Sequence, residues 1–241
     1  VHAHLDGVVT SASLMVNAGA FESAVALAKQ HPSLDIGLHL NLTDKPFALA
    51  VRGHAGGMER EIRAQIEKAL GTGLPITHLD GHKHVQVIPS VMTILHRVVP
   101  EYGIRAIRTT ITRTPRLFSL LGRNRTALAA ILKQYVFAQG VRLVWQLGWR
   151  SALLGPDYFY GIAETGFLDL EAFAGIIEDL PQGTHELMCH PGYVDDLLRR
   201  TPTRLLTQRE RELEMLTNRE TRHLIQSAGI QLVSYKDLVE T

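Results

Sequence analysis

Strand-like and helix-like segments alternate along the 241 residues, which predicts an α/β fold on a mostly parallel sheet, open or closed into a barrel. Two patterns carry that expectation. Over residues 34–42 apolar side chains occupy every second position, the period of a strand with one buried face. Over residues 58–70 they recur at helical spacing, and Gly71 and Gly73 stop the run. A hydrophobic fraction of 45% beside 20% charged residues supplies a sizeable core and excludes disorder over most of the chain.

Each element follows from a local signal. Residues 2–7 read as the last turn of a helix closed by the cap glycine Gly7, so an element upstream is expected. Residues 8–16 are β-branched enough for a strand, and the alanine-rich stretch 18–30, stopped by Pro32, suits a helix. After the strand at 34–42 and the helix at 58–70, a strand begins near Pro75 and Pro89 opens a helix to about Val99. A short strand at 104–108, an amphipathic helix at 168–180 and a strand at 185–190 continue the alternation. A long polar helix at 208–227 and a last strand at 230–234 complete it. No internal repeat or low-complexity linker interrupts the chain, so 1–241 reads as a single domain.

The charge balance, 25 Lys+Arg against 24 Asp+Glu, lacks the basic excess of a nucleic-acid binder, so no nucleic-acid partner is expected. It conceals a strong asymmetry. Residues 102–156 contain no acid and nine cations, among them Arg105, Arg108, Lys133 and Arg142, together with both tryptophans. Residues 109–156 therefore read as a basic, apolar helical insertion suited to an amphiphilic anion or an anionic interface. The lone Cys189 excludes an internal disulfide and a cysteine-rich zinc site, and fits a reducing, cytoplasmic compartment. No apolar window of membrane-spanning length and no signal peptide is present in the sequence.

The chemistry concentrates in Thr77-His78-Leu79-Asp80-Gly81-His82-Lys83-His84. On a strand, His78, Asp80, His82 and His84 would line one surface. Four titratable side chains on one face are costly to bury for packing alone, whereas neutral imidazoles are good ligands for a divalent metal and a carboxylate can orient them. His39 lies on the polar face of the strand at 34–42, near its carboxyl end, where β/α proteins build their sites. His190, at the junction of the strand at 185–190 with the loop Pro191-Gly192-Tyr193, is placed for general acid or base work. Cys189 is expected to pack. Neither a G-x-S-x-G elbow nor a phosphate-binding P-loop occurs.

Four blocks, Thr10-Ser11-Ala12-Ser13-Leu14-Met15-Val16-Asn17, Gly37-Leu38-His39-Leu40-Asn41-Leu42-Thr43, His78 to Val85 and Glu186-Leu187-Met188-Cys189-His190-Pro191-Gly192-Tyr193, together resemble the YdjC-like carbohydrate deacetylases. That family includes diacetylchitooligosaccharide and hopanoid-biosynthesis deacetylases. The resemblance implies an irregular, TIM-like β/α barrel of parallel strands and one divalent metal ion, Mg or Zn. Carried over by motif, the metal ligands are His39 and His82, and the catalytic set is His190, Asp80 and His84. His190 would protonate the departing amine, and Asp80 would orient a histidine. The resemblance also places Arg108, Tyr158 and Tyr160 near the substrate, an N-acetylated sugar or glycolipid. Family members open with an Ala-Asp-Asp-Phe-Gly strand that supplies a third ligand and a base. No such segment occurs here, so the expected barrel lacks its first strand, and Gln86 stands where the family tends to have another histidine.

Two other readings stay open. One is a metal-dependent phosphoesterase, which needs more carboxylate ligands than these motifs offer. The other is a sugar-binding relative without catalysis. Further expectations are that His39 and His82 meet at one site onto which His190 opens, that segment 109–156 makes peripheral contact with the inner membrane face, and that the chain self-associates.

Overall fold

The computed structural model describes residues 1–43, 55–111, 122, 128–148 and 153–240. Helix α1 (His2–Leu5) ends at Asp6. Gly7 does not close it by left-handed backbone. A Cβ at Gly7 would lie 2.5 Å from the carbonyl oxygen of Ala3 and also meet that of Leu216, so close packing dictates the glycine.

Strand β1 (Ser11–Leu14), helix α2 (Phe21–Gln30), strand β2 (Asp35–Leu40), helix α3 (Ala55–Leu70) and strand β3 (Ile76–Gly81) follow in turn. A 3-10 turn (His82–Val87), helix α4 (Pro89–Val98), a second 3-10 turn (Val99–Tyr102) and strand β4 (Ala106–Ile107) complete a four-stranded parallel sheet, ordered β1-β2-β3-β4. Both faces of β2 are covered, not one. Its apolar positions Ile36, Leu38 and Leu40 enter a core shared with Ile62, Ile66, Met92 and Leu95 of the flanking helices. Its other face is covered by polar neighbours described below.

Helix α5 (Leu128–Gly148) precedes an isolated parallel bridge from Ala106 to Leu154. Strand β5 (Tyr158–Tyr160), helix α6 (Leu170–Glu178) and strand β6 (His185–Leu187) form a two-stranded parallel sheet. The remaining helices are α7 (Asp196–Arg200), α8 (Thr207–Thr217), α9 (Arg219–Ser227) and α10 (Tyr235–Glu240). A second core joins Phe173 and Ile176 of α6 to Leu213 and Leu216 of α8, Ile225 of α9 and Ala3.

Two late elements differ from the sequence expectation. The helix expected over 208–227 breaks at Asn218, whose backbone is extended and whose side chain caps α9 by accepting from the Glu220 N–H at 2.8 Å. Residues 230–234 form no strand, despite their β-branched character, and lead instead into α10. Of the expected insertion at 109–156, α5 is helical, while Arg113, Arg116, Arg123, Arg125 and Arg150 lie outside the described residues. Among the described residues no helix is long and apolar enough to cross a membrane.

Candidate active site

Parallel pairing of β2 with β3 sets His39 opposite Asp80. The His39 Nδ1 lies 2.8 Å from an Asp80 carboxylate oxygen, and Asp80 is 1% exposed. A carboxylate only accepts, so Nδ1 carries a proton and Nε2 is the nitrogen left to face the site. Burial alone would push the Asp80 carboxyl up, but the Arg108 guanidinium and His39 hold it well below the usual carboxylate range.

The strand ends at Gly81, where the four-on-one-face expectation fails. A Cβ at Gly81 would meet the Gln86 side-chain oxygen at 2.5 Å, because the chain turns back sharply there. Lys83 (φ 52°) and His84 (φ 58°) take the left-handed conformation that non-glycine residues rarely adopt. That reversal separates the histidines. The His82 ring meets the His39 ring edge to face, with centroids 5.5 Å apart. The His84 ring instead turns inward against Phe159, 5.8 Å away, and Phe137 of α5. Its Nδ1 has no hydrogen-bond partner, and burial pushes its pKa down to about 3, so the ring is neutral.

His78 goes to the interior. It is 1% exposed, stacks on Tyr235 at 3.8 Å and is brought down to about 3 by burial, with its Nδ1 2.9 Å from the Thr77 hydroxyl.

Arg108, expected at the substrate, is buried as well, and its nitrogens are engaged by protein. It forms an ion pair with Asp80, donates to Glu186 at 2.9 and 2.6 Å, and lies 5.2 Å from the Phe159 ring centroid. Strand parity sets the tyrosines of β5 apart from that network. Phe159 faces Arg108 and His84, so Tyr158 and Tyr160 point the other way. Tyr160 is buried in the second core, and Tyr158 stacks on His185 at 5.2 Å.

His190 is half-buried beyond β6. Burial, Arg209 and Arg108 together push its pKa down to about 4. Its backbone N–H donates to Glu212 of α8, and its carbonyl accepts from Arg209 at 3.4 Å. Glu212, 1% exposed, is raised to about 7 by burial. Sequence reasoning missed this buttress, although position 212 falls on the same helical stripe as Leu213 and Leu216. Burial raises the Cys189 thiol to about 12, which leaves it packed and unreactive.

The donor chemistry around His39 and His82 suits a divalent metal in part. His39 shows the carboxylate-backed tautomer typical of ligating histidines, and a second imidazole faces it. The described residues contain no group of three or more His, Cys, Asp or Glu arranged to hold a metal, so these two form an incomplete set.

Carbohydrate deacetylases of Brevibacillus brevis, Geobacillus stearothermophilus and Vibrio cholerae are 33%, 31% and 30% identical to the chain. The alignments cover 99%, 98% and 99% of this chain and 92%, 89% and 89% of theirs. In fold, the chain matches the crystal structure of an Enterococcus faecalis protein described as a candidate for cellobiose-phosphate cleavage. That match has a TM-score of 0.75 at 21% identity and covers 98% of this chain and 90% of the other. The profile of the YdjC-like proteins matches residues 1–227, and with full-length relatives above 30% identity the chain belongs to that family.

Proposed function

We propose that the protein is a carbohydrate N-deacetylase, a hydrolase that removes the acetyl group from an N-acetylated sugar with the help of one divalent metal ion, Mg or Zn. The observation that carries this reading is the pair of facing imidazoles, His39 and His82, with Asp80 behind the first. The names of the relatives support deacetylation. His39 and His82 would hold the metal, together with a donor outside the described set. When bound, the metal supplies polarisation of the acetamide carbonyl and a more acidic water.

The protein's own groups do the rest. Asp80 fixes the His39 tautomer and aim. His190 would hand to the departing nitrogen the proton that a carboxylate base takes from the attacking water. The water oxygen bonds to the carbonyl carbon, the C–N bond breaks, and acetate and a free amine leave.

We also read the two sheets as arcs of one irregular β/α barrel, in a single domain 1–241 with 109–156 as an insertion. Supporting closure, the Ile107 N–H donates to Leu154 at 2.8 Å and the Phe159 N–H to Ile111 at 3.1 Å. Helix α5 exposes Leu128, Leu132, Val136, Phe137 and Leu143 beside Lys133. We therefore extend the substrate class to glycolipids, met by a cytoplasmic protein peripherally at an anionic membrane face.

The test is acetate release from a chitin disaccharide by the full chain supplied with zinc or magnesium. His82→Ala and His190→Ala should each lower the rate at least about 100-fold. Sugar binding without acetate release would favour the non-catalytic relative, and phosphate release from a sugar phosphate would favour the phosphoesterase.

A further inference from the structure

A chain of buried and partly buried polar contacts runs from the candidate site to the last described helix. His39 bonds Asp80, Asp80 pairs with Arg108, Arg108 donates to Glu186, and the Tyr235 hydroxyl donates to Glu186 at 2.5 Å. The members come from β2, β3, the residue after β4, β6 and the start of α10. Apolar side chains would anchor a helix more cheaply. Replacing a buried ion network by hydrocarbon of like volume is often neutral or stabilising, so anchorage alone does not account for this one. The composition is also unbalanced. Two carboxylates share one guanidinium, and the oxygen left over on Asp80 faces His39.

We propose that Tyr235 is a positioning residue for the candidate site: by holding Glu186 it fixes how Arg108 divides itself between two carboxylates, and so where the Asp80 oxygen meets His39. Two contacts of Tyr235 separate this role from helix docking. Its ring stacks on His78 at 3.8 Å, which is packing, while its hydroxyl reaches Glu186, which is the polar link. Without the hydroxyl, Glu186 draws the guanidinium toward itself and loosens its grip on Asp80. Tyr235→Phe removes the link and keeps the packing. The inference rests on the deacetylase reading only in calling the site catalytic.

The experiment reads the side-chain 15N resonances of His39 in the metal-free full chain, and separately kcat and KM for acetate release. Tyr235→Phe should move the His39 resonances and lower kcat about three- to tenfold, with KM within twofold. Ile225→Val, in the second core, should leave both unmoved at an equal loss of thermal stability. Glu186→Gln with Tyr235→Phe should lose no more than the worse single variant, since the two act in series. Unmoved His39 resonances in Tyr235→Phe, or losses that simply multiply in the double variant, would overturn the proposal. The resonances are read without metal or sugar, so they answer even for a chain that deacetylates nothing.

Discussion

Gly37 and the His78 ring occupy one layer between β2 and Tyr235. A Cβ built on Gly37 would lie 2.5 Å from both the Cδ2 and Cε1 atoms of that ring, well inside any real carbon contact. The ring has nowhere to retreat, because Tyr235 stacks on its far side and Thr77 holds its Nδ1. Gly37→Ala therefore overpacks a closed layer, at about 1–3 kcal/mol. The alanine narrows the unfolded ensemble and returns about 0.4–1 kcal/mol. The net loss should be about 1–2 kcal/mol, or roughly 2–8 °C in Tm for a chain of this size. Urea denaturation followed by circular dichroism measures it. Tyr235→Leu gives the ring room, so the double variant should recover at least about 0.5 kcal/mol relative to the sum of the singles. A neutral or stabilised Gly37→Ala, or strict additivity with Tyr235→Leu, would refute the layered packing.

Other expectations follow from the same geometry. Arg108→Met strands Asp80 and Glu186 without their cation and should cost about 3–5 kcal/mol, read by thermal unfolding; a loss under about 1 kcal/mol would mean that the carboxylates are not truly desolvated. Stability should rise with pH between about 4.5 and 6.5. There His78, His84 and His190, depressed to about 3, 3 and 4 from 6.5, bind protons only when unfolded. Glu164 and Glu212, raised to about 7 from 4.5, act oppositely, since the folded state holds their protons. Three groups against two leave about one proton, to which His96, also depressed by burial, adds on the same side, so the slope should be at least about 1.4 kcal/mol per pH unit, and Glu212→Gln should steepen it. Urea midpoints at pH 5 and 6 check the sign, and a fall between them would contradict it. Vesicles rich in anionic lipid should bind the protein at low salt, and Lys133→Gln with Arg142→Gln should weaken that by up to about 2 kcal/mol; co-sedimentation equal for both proteins would remove the membrane contact.

The sequence was most readable where a period persists. The alternation around His39 and the helical spacing of 58–70 need only backbone geometry, and β2 and α3 lie there. The histidine cluster was readable in composition but not in direction, because period two ends where Lys83 and His84 adopt left-handed backbone that neither residue type announces. The resemblance placed Tyr158 and Tyr160 near the substrate, and period two along β5 puts Phe159, not its two neighbours, against Arg108 and His84. Tyr235 was hidden for a different reason. The run Ile230-Gln231-Leu232-Val233-Ser234 favours a strand by propensity, and only tertiary contacts, with the Lys236 N–H 3.0 Å from Asp35, show a helix docked across the sheet.

That docking has a consequence for how the protein comes into being. The bond between Lys236 and Asp35 spans 201 positions, and the one between Tyr235 and Glu186 spans 49. During synthesis the four-stranded sheet can pair early, bringing His39 to Asp80, while Glu186 waits for a hydroxyl that has yet to be translated. At about 5–20 residues per second, the 49 positions from Glu186 to Tyr235 take a few seconds. For that interval a nascent chain holds charged groups destined for burial beside open strand edges, the state from which misassembly and chaperone capture begin. Closure by the last helix ends that exposure, so a ribosome stalled before residue 235 would leave a sheet that is paired but a polar network that is still wet.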